Sequence, residues 1–375
     1  MTLVLLILIF IRPLIASLAF PVLNAIYSPL LLLFLAAWII VYGLKTEAIR
    51  PIQYPLFLFI LALLVSVLSS QNIGLSISCL DKYALAILIM VIVSSLKKET
   101  DTIISCLLFT SFLVSCLAFY QYIFGFQRVL TYMAKNNIYD PFSWEYIAQR
   151  RVFFPFVTPN TLAGYLSMML PLALTKRNRF IFILPLTLAL LLTRSLGGIS
   201  SAAAAILLYF CLTKKFNAKI IAGMAALAIG TILVVLAIRS SAVKTHFQPA
   251  FSAVMRINYW RETLRIIWAH PLLGIGLGNF NIAYSRFSHN SYLQIWAEMG
   301  ILGIVSFLWI VWSFGLCALK NIKKSRNNIA IACLAAAGAS FCLHNFLDFS
   351  FFLPEVSLLW WIICGLLLAV NTAGA

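Results

Sequence analysis

The sequence predicts an all-α integral membrane protein with about twelve transmembrane helices, and three observations carry that prediction. First, 63% of its 375 residues are hydrophobic and 10% are charged, with a mean hydropathy of +1.01. A soluble fold of this composition would have too little polar surface to face water. Second, apolar runs of about 17–25 residues recur from end to end, each long enough to cross about 30 Å of hydrocarbon. Third, the polar connections alternate in composition, one set rich in lysine and the next in arginine. The alternating short strands of a membrane barrel are not seen.

The spans fall near 3–20, 25–43, 53–70, 78–96, 102–124, 157–174, 180–194, 196–212, 219–237, 291–317, 329–349 and 355–371. Met1–Ile9 lacks a basic leader and Arg12 interrupts the run. The first segment is therefore expected to be retained, although Ser17-Leu18-Ala19 could pass as a cleavage site. Pro171 and Pro185 let two short spans tilt or kink. The connections after spans two, four, six, eight and ten carry Lys45/Arg50, Lys97/Lys98, Lys176/Arg177/Arg179, Lys214/Lys215/Lys219 and Lys320/Lys323/Lys324/Arg326. Such short lysine-rich loops belong in the cytoplasm, which places both termini there too. The eight cysteines lie in or beside apolar runs without CxxC spacing, as small core or lipid-facing residues do. The chain reads as one polytopic domain, 1–375.

Two outer segments are long, 125–156 and 238–290. Both mix aromatic with basic residues (Tyr132, Tyr139, Phe142, Trp144 and Tyr146 in the first) and are expected to lie along the membrane interface. Residues 238–290 carry Arg239, Lys244, Arg256, Arg261, Arg265 and Arg286 against Glu262 alone. Arginine gathered on the face where the positive-inside bias disfavours it points to an anion held there, and its planar fork fits phosphate. Within this loop 251–268 has a helical period. Ile257, Trp260, Leu264, Ile267 and Trp268 share one face, with Asn258, Glu262 and Arg265 well away from it. Arg256, flanked by Trp260, Thr263 and Ile267, is the strongest phosphate-ligand candidate. Arg261 and Arg265 read as interfacial charges or as support for an acceptor.

Gly274, Gly276 and Gly278 then permit either a compact turn or a nest of N–H groups facing phosphate. His289-Asn290 heads the following span, where a helix N-terminus would favour a neutral imidazole able to accept a proton. Glu298, deeper in that span, is expected to pair with a cation such as Arg12 or Arg194. His344 and Asp348 share a face at i and i+4. Arg194 sits in a short outer turn, and Arg150-Arg151 precede the outer mouth of the sixth span. Histidine, arginine and carboxylate thus reach one membrane face from at least four places in the chain.

At these residues the sequence resembles the O-antigen ligase/polymerase superfamily of bacterial envelope glycosyltransferases. The resemblance rests on TPNTLAGYL (158–166), RINYWRETLRIIWAHPLLGIGLGNF (256–280), HNSYLQIWAEMGILG (289–303) and HNFLDFSFFLP (344–354). It implies a GT-C-type membrane fold and transfer of a glycan from undecaprenyl diphosphate to an acceptor hydroxyl at the periplasmic face of the inner membrane. It further implies that His289 serves the acceptor and Arg256 the diphosphate. The family's second arginine usually follows the serine of a Thr-x-Ser-Arg-Gly turn. Here the turn reads Thr193-Arg194-Ser195-Leu196-Gly197, with arginine two positions early. Arg194 can then join Arg256 only if a non-helical turn, permitted by Gly197-Gly198, redirects it; otherwise Arg150 or Arg151 is the second ligand. Asn290, Arg261, Arg265, His344 and Asp348 are assigned to the acceptor or to support.

The chemistry needs no cofactor, because arginines can neutralise the leaving diphosphate. In the long outer loops Asp140, Glu145 and Glu262 are too scattered for a typical Mg²⁺ site, while Asp348 and Glu355 keep a small metal possibility alive. His289 would orient or deprotonate the acceptor hydroxyl, and direct displacement would invert the anomeric carbon. The expected partners are the carrier-linked glycan, lipid A-core or a growing polysaccharide, and membrane lipids; nucleic acid is not expected. Ligation to lipid A-core leads, with repeat-unit polymerisation as the alternative. A protein O-glycosyltransferase comes third, disfavoured by the lack of a soluble domain after the last span. Lipid or sugar transport is the competing class, but internal repeats and midplane polar sites are lacking. A structural scaffold would leave the outer arginines unexplained.

Overall fold

Helix starts are written into the sequence, and the computed structural model of the protein uses them. It describes residues 1–136, 146–147, 149–213, 223, 230, 251–283, 285–324 and 329–371. Apart from residues 223 and 230, the expected ninth span lies outside these. So do Lys214, Lys215, Lys219, Arg326, Arg239, Lys244, Tyr139, Asp140, Phe142, Trp144 and Glu145. The helices are α1 (Thr2–Ile11), α2 (Pro21–Tyr42), α3 (Gln53–Leu68), α4 (Ile73–Ser94), α5 (Thr100–Tyr120) and α6 (Phe126–Lys135). After these come α7 (Pro159–Ala173), α8 (Phe180–Thr193), α9 (Leu196–Leu212), α10 (Phe251–Ala269), α11 (Ser291–Lys324), α12 (Ile329–His344) and α13 (Pro354–Asn371).

Proline opens α2 and α7, where its missing N–H costs nothing. Side chains of Asn72, Thr158 and Ser195 cap α4, α7 and α9 by accepting from Leu75 N (3.0 Å), Thr161 N (3.2 Å) and Gly198 N (3.3 Å). Pro21–Tyr42, Glu47–Leu68, Ile73–Ser94, Thr100–Lys135 and Ser291–Ile322 are long and apolar enough to cross a membrane. Thr2–Leu14, Phe180–Thr193, Leu196–Leu212, Ile329–His344 and Pro354–Val370 are shorter apolar helices. All eight cysteines are free.

In the bundle α13 runs along α4, α11 along α3, and α7 is enclosed by α8, α9 and α12. Phe59, Tyr83, Phe307, Phe341, Phe351, Trp360 and Trp361 form a continuous aromatic core between these helices.

Three expectations change here. The first span is not one helix: α1 ends at Ile11 and a 3-10 turn, Arg12–Leu14, intervenes before α2. Pro13 stands inside that turn, and Arg12 is buried against Glu355 at 3.2 Å, with the Tyr27 ring 4.8 Å from its guanidinium. The bundle thereby pairs a charge that a lone span would have had to carry alone. Second, α6 continues α5 through a π turn, Gln121–Gly125, making one long rod, so residues 126–135 are not a separate segment. Third, α11 is broken at Gly300, whose φ of 65° and ψ of −167° lie outside any helix.

The break is filled by the loop 271–280. Ile275 N donates to Ala297 O (2.9 Å), Gly276 N to Glu298 O (3.1 Å) and Ile301 N to Pro271 O (3.0 Å), so the interrupted helix leaves these groups paired.

Candidate functional site

The α10 helix lies on α11, but meets it only by the edge of its apolar face, at Ile267. Tyr259, Thr263 and Ile267 are its buried positions, while Ile257, Leu264 and Trp268 are exposed. Period 3.6 identifies the apolar arc correctly; which arc meets protein is set by the partner surface, and the outward arc suits a helix lying in lipid. Arg256 stands one turn before Tyr259 and Trp260, as its neighbours in the helix suggested. Burial lowers its guanidinium from the ordinary value, and the charges of Asp348, Tyr146 and Tyr259 offset this.

His289 lies just outside α11 in a left-handed conformation, φ 54°. The turn is held from both ends. Ser288 Oγ donates to Asn290 O and accepts from Asn290 N. Asn290 Oδ1 accepts from Tyr292 N (3.0 Å) and Leu293 N (3.2 Å), so Asn290 is the N-cap of α11 and supports the site. The imidazole stacks on Tyr259 (5.1 Å between centroids, 19°) and meets the Phe349 ring edge-on (4.8 Å, 88°). Burial lowers its pKa to about 4; Asp348 opposes the shift and Arg256 adds to it. The ring is neutral, as expected, but through burial more than through the helix end.

Asp348 and His344 converge from the turn after α12. His344 Nε2 lies 3.3 Å from Asp348 Oδ2 and 3.1 Å from Asn160 O. Both are acceptors, so Nε2 carries the proton. Gly164 and Gly197 make room for this ring, since a Cβ on Gly164 would stand 2.8 Å from His344 Nε2. Asp348 Oδ2 also accepts from Ser350 Oγ, while Oδ1 is buried without a hydrogen-bond partner among the described residues. Burial pushes the carboxyl up, but His344, Ser350 and His289 together hold it below its ordinary value. Asp348 is therefore an anion acted on by both His289 and Arg256.

Asn160 ties a third part of the chain to the same point. Its Oδ1 accepts from Arg151 Nη2 (3.2 Å) and Ser195 Oγ (2.9 Å). Arg151 is buried, donates from Nε to Thr193 O (3.0 Å) and has its guanidinium 5.3 Å from the Tyr146 ring centre. It thus anchors the carbonyl end of α8 to the start of α7. Arg150 is exposed and stands over the Tyr122 ring at 5.4 Å. Arg194 is half-buried and is itself the left-handed residue, φ 50°. Gly197 and Gly198 instead belong to the first turn of α9, where Gly198 packs on Ala163. The non-helical turn exists, but arginine makes it and glycine does not; no ion pair from Arg194 is formed among the described residues.

One open alternative is decided and one sequence expectation is corrected. The glycine loop is the compact turn, not a phosphate nest: Gly276 N and Gly278 N are taken by Glu298 O and Glu298 Oε2, and Ile275 N by Ala297 O. Gly274, Gly276 and Gly278 all have positive φ and press on Glu298, Ser70 and Cys79. Glu298 pairs with neither Arg12 nor Arg194. It accepts from Gly278 N and Gln294 Nε2, while Arg12 takes Glu355 and removes that carboxylate from any metal set. Among the described residues no three His, Cys, Asp or Glu side chains are grouped to hold a metal.

Arg261 and Arg265 are away from His289. They line a cavity of about 720 Å³ with Asn258, Tyr259, His270 and Asn281, and Arg265 pairs with Glu262 at 2.7 Å. Tyr259 is the shared wall, facing this cavity and stacked on His289. Sequence reasoning missed Tyr259, Asn160, Ser195, Ser350 and Phe349 as members of the site. All of these but Ser195 lie inside the quoted motifs; Tyr259 reads as one more interfacial aromatic until its partner is known.

A half-buried arginine, an imidazole and a buried carboxylate thus gather where the helical bundle of an integral membrane protein meets an amphipathic helix. The family model described as O-antigen ligase matches residues 180–308, from α8 into α11, and thus includes Arg194, Arg256 and His289. Over these residues the chain is similar to that family, which supports the O-antigen ligase/polymerase superfamily. Arg151, Asn160, His344 and Asp348 lie outside the matched residues and join the site only through the fold. No curated protein matches the chain.

Proposed function

We propose that this protein is a GT-C-type glycosyltransferase of the inner membrane, with about twelve spans, cytoplasmic termini and an active site at the periplasmic face. It moves a glycan from undecaprenyl diphosphate to a hydroxyl of lipid A-core. The convergence of Arg256, His289 and Asp348 carries this reading. His289, neutral at ordinary pH, takes the proton of the acceptor hydroxyl as its oxygen bonds to the anomeric carbon. The bond from that carbon to the diphosphate oxygen breaks, inverting the centre, and undecaprenyl diphosphate leaves with the electron pair. Arg256 neutralises the charge that develops there, with Arg194, Arg151 or Arg150 as the second cation and without need of a metal. Asp348 stabilises the imidazolium that forms. The cavity beside Tyr259, with Arg261, Arg265, Asn258 and Asn281 on its wall, suits the polar, anionic part of the acceptor.

The second reading is polymerisation of repeat units on the same carrier, which needs the same grip on diphosphate. Purified protein given undecaprenyl-diphosphate glycan with lipid A-core or with a second carrier-linked unit separates the two. Glycosylated lipid A-core and free undecaprenyl diphosphate are expected. A lengthened glycan still on its carrier would favour the polymerase. Absence of any transfer, with glycolipid moved across proteoliposomes, would favour transport.

A further inference from the structure

Glu298 is a buried carboxylate that the arginine–histidine cluster does not use. Its Oε2 accepts from Gly278 N at 2.9 Å and its Oε1 from Gln294 Nε2 at 2.8 Å. Gln294 Oε1 in turn accepts from Ser288 N at 3.1 Å, and Ser288 is the residue before His289. We propose that Glu298 and Gln294 are positioning residues: a hydrogen-bonded relay, Gly278–Glu298–Gln294–Ser288, fixes the left-handed turn that aims His289. The proposal rests on the reading of His289 as the group that serves the acceptor.

The identities of both side chains follow from the pattern. Position 298 meets two donors, a backbone N–H at Oε2 and an amide NH₂ at Oε1, so it needs an acceptor atom at each end; a carboxylate has both and an amide has one. Position 294 meets one donor, Ser288 N, and one acceptor, Glu298 Oε1, so it must be an amide. The far end of the relay is rigid, because Gly276 N and Ser66 Oγ both bind the main-chain carbonyl of Glu298 (3.1 and 2.8 Å) and the glycine loop sits in the break of α11. The near end matters because a non-glycine residue held at φ 54° relaxes unless its surroundings enforce that backbone. Asn290 holds the turn from the helix side, and the relay holds it from the other.

Swapping the two side chains provides the test. In Glu298→Gln the new amide has one acceptor for two donors, so one link opens whichever way it turns. Adding Gln294→Glu gives a carboxylate that accepts from Ser288 N and from the new amide at position 298, whose oxygen accepts from Gly278 N. Every link is restored. Glu298→Gln is expected to lower kcat by about 10–100-fold, the usual cost of a small misplacement, with the donor KM within about twofold. The acid limb of kcat/KM should move from about pH 4 toward 6.5 as the ring leaves its buried seat. The groups facing the ring, Arg256 and Tyr259 of α10 and Asp348 and Phe349 beyond α12, are unchanged in this variant.

The double variant should recover both kcat and the limb. A single variant with wild-type kcat and limb overturns the relay, as does a folded double variant no better than the single. If Glu298→Gln does not fold, Gln294→Met removes both the acceptor for Ser288 N and the donor to Glu298 Oε1, leaves Glu298 on Gly278 N, and is read by the same two quantities. Transfer that persists when His289 itself is replaced would sink the reading of the site instead, so the two failures are distinguishable.

Discussion

His289 is where chemistry and conformation meet, and the variant that tests it has to respect both. Alanine would remove the stacking on Tyr259 and the contact with Phe349, and would sit poorly at φ 54°. Asparagine tolerates that backbone and cannot act as a base. His289→Asn is therefore expected to keep the folded protein and lose at least about 100-fold in transfer, the lower end for a general base. The wild-type acid limb gives a second check. Its imidazole is lowered to about 4, so the base stays neutral, and activity holds, down to that pH; loss already at 6.5 would contradict it. Arg256→Lys should cost about 10-fold or more, the worth of one charge-assisted hydrogen bond, with donor binding weakened in step. Lysine that substitutes fully would make Arg256 a generic charge. Arg151→Ala should lower the thermal midpoint, because Thr193 O and Asn160 both lose a donor. Arg194→Ala should leave that midpoint unchanged, and its transfer rate then reports whether Arg194 holds the diphosphate.

The broken helix α11 and its wedge are built around backbone contacts that only glycine allows. A Cβ on Gly276 would stand 2.5 Å from Ser70 Oγ and 2.6 Å from its Cα, at φ +98°. Gly276→Ala should therefore destabilise by at least about 1–3 kcal/mol from backbone strain alone, read as a lower unfolding temperature in detergent. Gly315→Ala, in the unbroken part of α11 with nothing within 4 Å of its would-be Cβ, is the matched control and should be silent or mildly stabilising. Equal effects at both positions would mean the wedge is not needed. The glycine spacing in the sequence permitted a compact turn; it did not name Glu298, Ser70 and Cys79 as the surfaces approached, because those contacts join residues with no local relation.

Across the whole molecule, the bundle gives its buried carboxylates protein partners. Arg12 takes Glu355, Asp348 takes His344 and Ser350, and Glu298 takes Gly278 and Gln294. Each carboxylate near the site thus has a protein partner of its own. Activity is accordingly expected to be unchanged by EDTA, measured as carrier release with and without the chelator. Turnover lost to EDTA and restored by Mg²⁺ or Mn²⁺ would require a metal in place of the arginine account of the leaving group.

By itself the sequence determined the membrane class, most helix starts, the apolar arc of α10, and the motif residues Arg256, His289, His344 and Asp348. These follow from local rules: span length against bilayer thickness, a period of 3.6, and the cost of basic residues on the wrong face. Only the tertiary structure decided that Arg12 pairs with Glu355, 343 residues away, and that Glu298 serves the turn at His289. It alone decided that α10 meets the bundle through Tyr259 and Thr263, and that Asn160 joins Arg151 to Ser195. The physical reason is the same each time. A buried polar group takes whichever partner packing brings within about 3 Å, and spacing along the chain does not encode that distance.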